Sequence, residues 1–456
     1  MTSTSKIHEK VAVIGMGKTG LSVVRHLQRL HIACACFDEA KVSLPEDMRD
    51  IPLSEGALQV EQLQDFDRII VSPGMDWRHT VLVALREQGK AVYGDLDEFL
   101  SHYSGQLLAV TGTNGKTTVT EMMALLLETL DKGCEAGGNI GVPMLDLLAN
   151  DMPARVVLEL SSFQLERSKN LHPSWAVLLN IQPDHADMHD SEQAYRAAKV
   201  RMFEHMKIHD VALLPIDLDW DMLSSELAFK GVLVARFGIL STADSRSNMM
   251  QAGILLATAN EQSNTLFWTQ EGERQSIACD KLMLKGTHQQ QNIAVAAQAA
   301  ADYGVSAAVI EEAMMSFQGL EHRLEYIGTF AERACYNDSK ATNPDASLAA
   351  LTSFQQATWI CGGLRKGLAL DGLLDAVKQH VDFACVIGKQ PQAYIALLEQ
   401  AGVPFVVSKN VEQAVQDAFE FGKADILLSP AAASQDQFKN YAERGKSFVQ
   451  AIQNHG

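Results

Sequence analysis

The sequence predicts an α/β protein with three successive blocks, each built around a mainly parallel sheet. Three observations lead to this prediction. Residues 11–30 read as a strand, a glycine loop and a helix, and residues 107–130 repeat that order with Lys and Thr at the helix start. From residue 359 onward, short apolar runs alternate with helical stretches. Strands that alternate with helices are typical of parallel sheets, and a length of 456 residues suits about three domains.

Composition limits the classes of protein to consider. The net charge of −18 argues against a nucleic-acid partner, and no apolar run approaches the ~20 residues that a membrane helix needs. The apolar run after Lys10 is soon broken by Gly15 and Gly17, which predicts a strand entering a loop rather than a signal peptide. We expect a cytoplasmic protein with no membrane partner, and we expect a monomer.

Seven cysteines are scattered along the chain without the spacing of metal ligands. Cys34 and Cys36 are expected on one face of a strand, because alternate side chains of a strand point the same way. An odd, dispersed set of cysteines predicts reduced thiols rather than a disulfide framework.

The first block contains a glycine loop typical of dinucleotide binding. Gly15, Gly17 and Gly20 lie between a strand and a helix, and a second strand at residues 32–37 ends at Asp38, an acidic residue about 20 positions on. A third strand ends in Ser72-Pro73-Gly74, at the edge of the sheet where ligands collect. NAD is only one of the phosphate esters that such a loop holds, and glycines also suit a tight turn without a ligand.

The second block contains a phosphate loop at residues 111–118, between a buried strand and a helix that runs to Leu130. Backbone N–H groups and the positive end of the helix dipole face an anion there, Lys116 adds a charge, and a Thr hydroxyl suits Mg²⁺. Val110 stands where the usual P-loop has its first glycine. A plain strand-to-helix turn would not need Lys and two Thr residues, so we predict a nucleoside triphosphate site.

Two neighbouring strand ends offer metal ligands. Glu159 ends an apolar run, and His185 lies in the loop that follows the strand at residues 175–180. Strand ends beside a phosphate loop are where Mg²⁺ is held, so both side chains are candidate ligands, although a lone Glu or His is more often structural.

A helix follows this loop, and its Lys199 lies downstream of His185. Asp190 and Gln193 resemble a capping box that opens the helix, which extends to Phe203. Residues 205–285 give little pattern beyond short β-like runs such as residues 211–214 and 231–237. His288, Gln289 and Asn292 then begin an alanine-rich helix, where the amides face a nucleobase or only cap the helix.

The third block has strands at residues 359–361, 383–387, 405–407 and 426–428. Polar clusters lie next to these strands, in positions typical of site loops. The clusters are residues 322–323, 337–343, 362–366 and 429–434.

Together these stretches resemble the ATP-dependent Mur ligases of peptidoglycan synthesis, and the resemblance covers essentially the whole chain. The loop at residues 112–117 is common to that family and to folylpolyglutamate synthase. The Asp-Asn-Pro-Arg motif of the diaminopimelate-adding relatives is absent, as is the basic N-terminal glycine pattern of the alanine-adding ones. The stretches similar to D-glutamate-adding members are residues 137–141, 159–166, 195–199, 337–343 and 429–441.

The resemblance implies a domain order and a reaction in cell wall biogenesis, with the attached roles in cell shape and cell division. Residues 1–94 would form a Rossmann-like domain for the UDP substrate, residues 95–319 a central P-loop ATPase-like domain, and residues 320–456 a Rossmann-like domain for the incoming amino acid. A carboxylate of UDP-N-acetylmuramoyl-L-alanine would attack the γ-phosphate of ATP, and the amine of D-glutamate would then displace phosphate from the acyl phosphate.

The resemblance also implies site residues. ATP would be bound by Gly112, Thr113, Asn114, Gly115, Lys116, Thr117, Thr118, Asn292 and Asp338, with Lys340 near the nucleotide or the reaction centre. Two Mg²⁺ ions would be held by Thr117, Glu159, His185 and a carbamylated Lys199. The UDP substrate would contact Lys18, Thr19, Asp38, Ser72 and Asn139, and D-glutamate would contact Thr342, Lys366, Ser434 and Tyr441. Catalysis would depend on Lys116, Lys199, His185, Glu159 and Arg323. Gln289 stands where the family usually has Asn.

Two other classes remain open at this stage. A nicotinamide dehydrogenase explains the first block but leaves Lys116, Glu159 and His185 without a role. A nucleotide-binding regulatory protein keeps the phosphate loop but does not need the polar clusters of the third block.

Overall fold

The computed structural model describes most of the chain. The described residues are 9–130, 134–139, 141–182, 189–216, 219–240, 255–260, 265–283, 286–317, 319–365 and 367–455. Their contacts divide the chain into two compact units, the first made of residues 1–262, 267–276 and 292–311, and the second of residues 263–266, 277–291 and 312–456. The predicted domain boundaries at residues 94 and 319 stay predictions.

The first sheet has five parallel strands in the order β3-β2-β1-β4-β5. Its two faces are covered separately, because Val11 and Val13 of the first strand join one apolar cluster and Ala12 and Ile14 join another. A strand buried on both faces reads as a continuous apolar run. The elements are β1 Val11–Ile14, α1 Lys18–Arg29, β2 Cys34–Asp38, β3 Leu53–Glu55, α2 Val60–Leu63, β4 Arg68–Val71, α3 Thr80–Glu87, β5 Ala91–Gly94 and α4 Asp95–His102.

The second sheet has nine strands in the order β14-β13-β12-β11-β10-β9-β6-β8-β7. Its elements are β6 Gln106–Thr111, α5 Lys116–Glu128, β7 Cys134–Gly138, β8 Arg155–Glu159, α6 Ser162–Arg167, β9 Trp175–Leu178, α7 Glu192–Val200, β10 Val211–Pro215, α8 Asp221–Phe229, β11 Leu233–Leu240, β12 Leu255–Asn260, β13 Thr265–Gln270, β14 Glu273–Ala278, α9 Thr287–Asp302 and α10 Ala307–Ser316. Because β6 pairs in parallel with both β8 and β9, the carboxyl ends of these three strands lie at one edge.

The third sheet has six strands in the order β15-β16-β20-β17-β18-β19, and β15 is antiparallel to β16. Its elements are β15 Glu325–Phe330, β16 Arg333–Asn337, α11 Pro344–Leu351, β17 Ala357–Gly362, α12 Leu374–His380, β18 Val381–Ile387, α13 Gln392–Ala401, β19 Phe405–Val407, α14 Val411–Phe421, β20 Asp425–Leu428 and α15 Tyr441–His455. Short 3₁₀ helices occupy Glu46–Met48, Met144–Leu148, Arg201–Phe203, Cys279–Lys281 and Asp371–Leu373.

The predicted α/β class is confirmed, with differences in detail. The strand predicted at residues 32–37 is Cys34–Asp38, and the one predicted near residues 231–237 is Leu233–Leu240. The hairpin of β15 and β16 is not in the sequence prediction. Its strands are only partly buried, so they lack the apolar runs that mark the other strands of that sheet.

All seven cysteines are described, and each carries a reduced thiol, as the sequence predicts. Cys36 is fully buried and Cys34 packs against the same apolar cluster, which agrees with their predicted place on one strand face. Burial raises the pKa of the Cys36, Cys335 and Cys385 thiols to about 12, so these side chains are neutral and unreactive while folded.

Candidate active site

The phosphate loop leaves β6 at Thr111 and enters α5 at Lys116, as predicted. Gly112 has φ 155° and Gly115 has φ 84°, values that favour glycine. A Cβ atom on Gly115 would stand 2.5 Å from Oδ1 of Asn292, which belongs to α9. The backbone therefore favours glycine at this position, and a larger residue would also displace the Asn292 side chain. The first N–H groups of α5 have no acceptor within the helix, so they suit an anion.

Amide side chains from the end of β9 hold the loop in shape. Oδ1 of Asn180 accepts the backbone N–H groups of Thr113 at 3.0 Å and Asn114 at 2.8 Å, and its Nδ2 donates to Asn114 O at 3.0 Å. Oε1 of Gln182 accepts from Nδ2 of Asn114 at 2.7 Å. The sequence predicts no role for Asn180, although its position after a buried strand beside the phosphate loop is a signal for one.

Two lysines meet one carbonyl behind the loop. Nζ of Lys116 donates to Gly112 O at 2.9 Å and to Thr113 O at 2.7 Å, and Nζ of Lys199 donates to Gly112 O at 2.8 Å. Lys199 is 1% exposed and its ammonium lies 4.5 Å from the centre of the Tyr195 ring. The structure therefore brings Lys199, predicted from the sequence to be a site residue, to the back of the phosphate loop.

Glu159 ends β8 beside the loop and is 3% exposed. Its Oε2 accepts from the Thr117 hydroxyl at 2.7 Å, and its Oε1 accepts from Nδ2 of Asn139 at 3.0 Å. A carboxylate and a hydroxyl at the N-terminus of a helix are the hard oxygen donors that Mg²⁺ prefers, so these residues fit the predicted metal. His185 lies outside the described residues.

The start of α7 corrects one sequence prediction. Ser191, rather than Asp190, caps the helix, because its hydroxyl accepts the N–H of Ala194 at 3.1 Å. The helix ends at Val200 and continues as a 3₁₀ turn to Phe203. Asp190 instead forms an ion pair with Arg78 through its exposed carboxylate. The sequence pattern suits either residue as the cap, since Asp and Ser are both favoured at that position.

The first sheet forms a second candidate site, between the carboxyl ends of β1 and β4. The chain reverses direction around the sheet there, which is where ligands bind in open α/β sheets. Gly15 has φ 88°, and the Ser72 hydroxyl donates to Gly15 O at 2.6 Å. Oδ2 of Asp38 accepts the N–H of Met16 at 2.7 Å, so Asp38 shapes the glycine loop. Lys18 stands exposed at the start of α1, beside Thr19.

Arg167 joins this second site to the central sheet, and the sequence analysis does not identify it. It is 2% exposed and donates to Ser72 O at 2.6 Å, to Pro73 O at 3.2 Å and to Met75 O. Burial lowers its pKa to about 10, which leaves it charged at neutral pH. One buried cation therefore fixes the turn that follows β4.

The amides at the start of α9 are buried. Gln289 is 6% exposed and Asn292 is 7% exposed, and burial lowers the pKa of His288 to about 4. Asn292 lies against Gly115 of the phosphate loop. This contact fits the first of the two interpretations left open, in which the amides meet a nucleotide. The other reading, a cap for α9, is not tested by this contact.

A third group of polar residues lies at the carboxyl edge of the third sheet. The register places Asn337 of β16 and Ile360 of β17 on either side of Leu428 in β20. The loops that follow these strands are therefore neighbours. Leu364 and Ala433 also exchange backbone hydrogen bonds, which joins two of the loops directly. The predicted residues Asp338, Thr342 and Ser434 are all in these loops, while Lys366 lies outside the described residues.

Asp338 is buried at the centre of this cluster. Its Oδ2 accepts from the Ser429 hydroxyl at 2.8 Å and its Oδ1 accepts from the N–H of Leu324 at 3.2 Å. Burial raises its pKa to about 7, against the opposing effect of these hydrogen bonds and of nearby Arg323 and Arg444. A carboxyl that titrates near neutral pH at a strand end is typical of a functional site.

Arg444 is the residue of this cluster that the sequence analysis missed. It lies on α15, is 1% exposed, and donates to Ala432 O at 3.0 Å and to Ser339 O at 2.8 Å. Arg444 therefore links the loop that follows β20 to the loop that follows β16. Nearby, Nζ of Lys340 lies 3.8 Å from the centre of the Tyr441 ring, which brings two predicted residues together.

Ser434 differs from its neighbours in its hydrogen bonding. It is 1% exposed, and its hydroxyl finds no hydrogen-bond partner within the part of the chain that the structure describes. Buried hydroxyl groups are usually paired, so an unpaired one in a site loop indicates a place for a ligand.

A phosphate loop in the second sheet, with another α/β sheet before it and a third after it along the chain, is typical of multidomain nucleotide-binding α/β enzymes. Three family models match in succession: the Mur ligase MurD-like N-terminal domain at residues 9–94, the Mur ligase middle domain at residues 110–300 and the Mur ligase glutamate ligase domain at residues 322–431. The chain belongs to the Mur ligase family, as its sequence motifs predict.

Similar proteins support this assignment over the full length. The UDP-N-acetylmuramoylalanine–D-glutamate ligase of Koribacter versatilis is 33% identical over 455 residues, covering 97% of each chain. That of Exiguobacterium sibiricum is 32% identical over 468 residues, covering 100% of this chain and 99% of the relative. The solved UDP-N-acetylmuramate–alanine ligase MurC from Thermotoga maritima covers 98% of this chain and 100% of its own, with a TM-score of 0.60 and 18% identity, which shows the shared fold.

Among the residues that the structure describes, no helix combines the length and the apolar character needed to cross a bilayer.

Proposed function

We propose that this chain is an ATP-dependent ligase that adds D-glutamate to UDP-N-acetylmuramoyl-L-alanine in peptidoglycan precursor synthesis. One observation carries the proposal: a glycine phosphate loop whose Thr117 hydroxyl bonds to the buried Glu159 carboxylate, in a chain with full-length relatives named for this reaction. Phosphoryl transfer needs positioning and charge neutralisation more than covalent help from the protein, and this edge of the sheet offers both.

The reaction has two steps. A carboxylate oxygen of the UDP substrate attacks the γ-phosphorus of ATP, the bond to the β-phosphate oxygen breaks, and an acyl phosphate and ADP form. The amine of D-glutamate then attacks the acyl carbon, the carbon–oxygen bond to phosphate breaks, and a proton leaves the nitrogen. When bound, Mg²⁺ neutralises the charge of the phosphate oxygens.

We assign ATP to the phosphate loop. The N–H groups at the start of α5 would meet the phosphates, and Asn180 holds the loop so that these groups need not reorganise. The Lys116 ammonium, which bonds to Gly112 O and Thr113 O in the structure, would turn to the phosphates. Thr117 and Glu159 are the described residues that would hold Mg²⁺; His185 and a carbamylated Lys199 complete the proposed set of ligands for two ions.

We assign the UDP substrate to the first sheet and the amino acid to the third. In the first, Lys18 and Thr19 begin α1, Asp38 ends β2 and Ser72 follows β4, while Asn139 follows β7 and donates to Glu159. In the third, Thr342, Ser434 and Tyr441 lie in or next to loops that meet at one edge, and Lys366 belongs to the same proposed set. Asp338 and Lys340 are proposed to face the nucleotide or the reaction centre, and Arg323 is proposed to reach the γ-phosphate. A cytoplasmic location and a monomeric state belong to the proposal as well.

The deciding experiment measures ADP and phosphate release by the purified chain with ATP and Mg²⁺. We expect release only when UDP-N-acetylmuramoyl-L-alanine and D-glutamate are both present, with one amide formed per ADP by mass spectrometry. Replacing D-glutamate by L-glutamate, L-alanine or diaminopimelate serves as the matched control. ADP release that is independent of the amino acid would overturn the proposal in favour of a regulatory NTPase, and NAD-dependent oxidation of a substrate would favour a dehydrogenase.

A further inference from the structure

Two histidines and one glutamate converge between α1 and α4, in the first compact unit and apart from the groups described above. His26 lies on α1, and Glu98 and His102 lie on α4. One potential ligand atom of each lies within 4.8 Å of the other two. Within the described part of the chain, these three side chains form a group that could hold one metal ion.

The spacing of these residues suits a shared ligand. Glu98 and His102 are four positions apart on one helix, so their side chains lie on the same face. His26 approaches from a second helix, and its ring centre is 4.7 Å from that of His102. Two ligands at this helical spacing and a third from a neighbouring helix are a recurrent arrangement in metal sites.

The side chains of the cluster are short of partners. His26 is 4% exposed, and neither of its ring nitrogens has a hydrogen-bond partner within the described part of the chain. Glu98 is 1% exposed, and its Oε1 has none either over the same residues. Buried polar atoms are usually paired, so unpaired ones that converge need an explanation. An ion bound here would pair Oε1 of Glu98 and one ring nitrogen of His26.

The other carboxylate oxygen of Glu98 is held firmly. Its Oε2 accepts from Arg68 at 2.7 Å and from the Tyr93 hydroxyl at 3.1 Å, and Arg68 also pairs with Glu9 at 2.7 Å. Hydrogen-bonded outer partners of this kind orient a ligating carboxylate. They leave Oε1 directed at the two imidazoles, with Nε2 of His102 at 3.5 Å.

Charges around the cluster allow a cation. The charged side chains around His26 are Arg29, Arg68 and Asp146. Arg68 is balanced by Glu9 and Glu98, so it does not leave a net positive charge beside the cluster.

We propose that His26, Glu98 and His102 form a binding site for Zn²⁺ or a similar late first-row divalent metal. Two ligands on a tetrahedral Zn²⁺ are about 3.3–3.5 Å apart, and Nε2 of His102 already stands 3.5 Å from Oε1 of Glu98. Nitrogen donors select such metals over Mg²⁺, which prefers oxygen. Water completes the fourth position on the side of His102, whose side chain is 22% exposed.

The site would join two helices rather than take part in the ligase reaction. α1 begins at the glycine loop after β1, and α4 follows the last strand of that sheet. α1 is already tied to the 3₁₀ helix at Met144–Leu148 by the ion pair of Arg25 with Asp146 at 2.5 Å. A metal bound between α1 and α4 would stabilise the fold on this side of the glycine loop.

The test titrates the full chain, stripped with EDTA, with Zn²⁺ in millimolar Mg²⁺ that occupies the oxygen site beside Glu159. We expect one Zn²⁺ per chain and a rise in the melting temperature. Replacing His102 by alanine should weaken Zn²⁺ binding by more than about 100-fold, because loss of even an outer-shell partner costs roughly 10- to 100-fold. The exposed His205 gives the matched control, since His205→Ala should bind Zn²⁺ like the wild type.

His102→Ala is the main variant because the residue is partly exposed and its replacement should leave the fold intact; His26→Ala is the second. Co²⁺ provides an independent reading, since tetrahedral nitrogen and oxygen coordination gives intense visible bands that both variants should lose. The proposal is overturned if the wild type takes up no Zn²⁺ under these conditions, or if His102→Ala binds it as tightly as the wild type. Neither result bears on ligase activity.

Discussion

At the scale of single residues, Gly115 is the position where the phosphate loop tolerates least change. Gly115→Ala must adopt φ near 84° and place a Cβ 2.5 Å from Oδ1 of Asn292. A non-glycine residue held in this region costs roughly 1–3 kcal/mol. We expect a loss of that size in the free energy of unfolding, measured by urea denaturation, together with a raised KM for ATP. Gly372→Ala, where the added Cβ meets nothing within 4 Å, should change neither quantity.

Lys199 provides a prediction about an atom that the sequence does not encode. As a carbamate, the buried Lys199 side chain would present oxygen ligands to Mg²⁺ instead of an ammonium. Lys199→Ala should therefore lose nearly all ligase activity, and acetate or formate should partly restore it by supplying a carboxylate. Activity is measured as ADP release. Lys207→Ala, at an exposed lysine, should keep full activity both with and without acetate or formate. Full activity of Lys199→Ala would remove the proposed role.

Ser434 separates a ligand-binding role from a structural one. Because its buried hydroxyl has no partner over the described residues, Ser434→Ala removes no hydrogen bond of the folded chain. We expect an unchanged or slightly higher free energy of unfolding, and a KM for D-glutamate raised roughly 2- to 10-fold by the loss of one hydrogen bond. Ser408→Ala gives the contrast, since Ser408 donates to Asp417 at 2.7 Å and its loss should lower stability without changing KM. Lower stability with an unchanged KM for Ser434→Ala would refute the assignment.

At the scale of elements, the loop between β16 and α11 carries a charge that depends on pH. The pKa of Asp338 is about 7 in the folded chain and roughly 4 when unfolded, so the folded state holds the extra proton between these values. The contribution of Asp338 to stability is therefore largest below pH ~4 and is lost as the pH rises through about 7.

The Asp338→Asn side chain is neutral at every pH, so its contribution to stability should not fall as the pH rises. We expect the difference in free energy of unfolding between variant and wild type to change by on the order of 1–3 kcal/mol between acidic and neutral pH. Denaturation curves at a series of pH values measure it. Asp371→Asn, at an exposed carboxylate, serves as the control. Parallel pH profiles for the wild type and Asp338→Asn would show that the burial of Asp338 has no such effect.

The elements also show what the sequence predicts well. Strand ends and the phosphate loop follow from local patterns, because a buried parallel strand is a short apolar run and a glycine loop marks its exit. Arg167 and Arg444 could not be found in this way, and for Asn180 the only local signal is its place after a strand. Each acts on a loop far away along the chain, and only the sheet order brings the donor to the carbonyl or amide that it holds.

At the scale of the whole molecule, the proposed substrate sites belong to separate sheets. Lys116 belongs to the second sheet and the proposed UDP-substrate site to the first. Lys116→Ala should therefore lower phosphate release by roughly 100-fold or more while leaving the affinity for the UDP substrate nearly unchanged. Calorimetric titration with that substrate measures the second quantity. An equal loss of affinity would contradict the assignment of the two sheets. Ser72→Ala makes the converse change, in the proposed UDP-substrate site.

The buried thiols described above report local opening of the sheets in which they lie. Cys36 lies in the first sheet, while Cys335, Cys361 and Cys385 lie in the third, and all four are 0% exposed. A thiol reagent reaches such a group only when the surrounding structure opens, so its labelling rate follows the population of the opened state. Peptide mapping of the labelled cysteines then gives a separate local opening free energy for the first sheet and for the third, in the unmodified protein and with each substrate in turn.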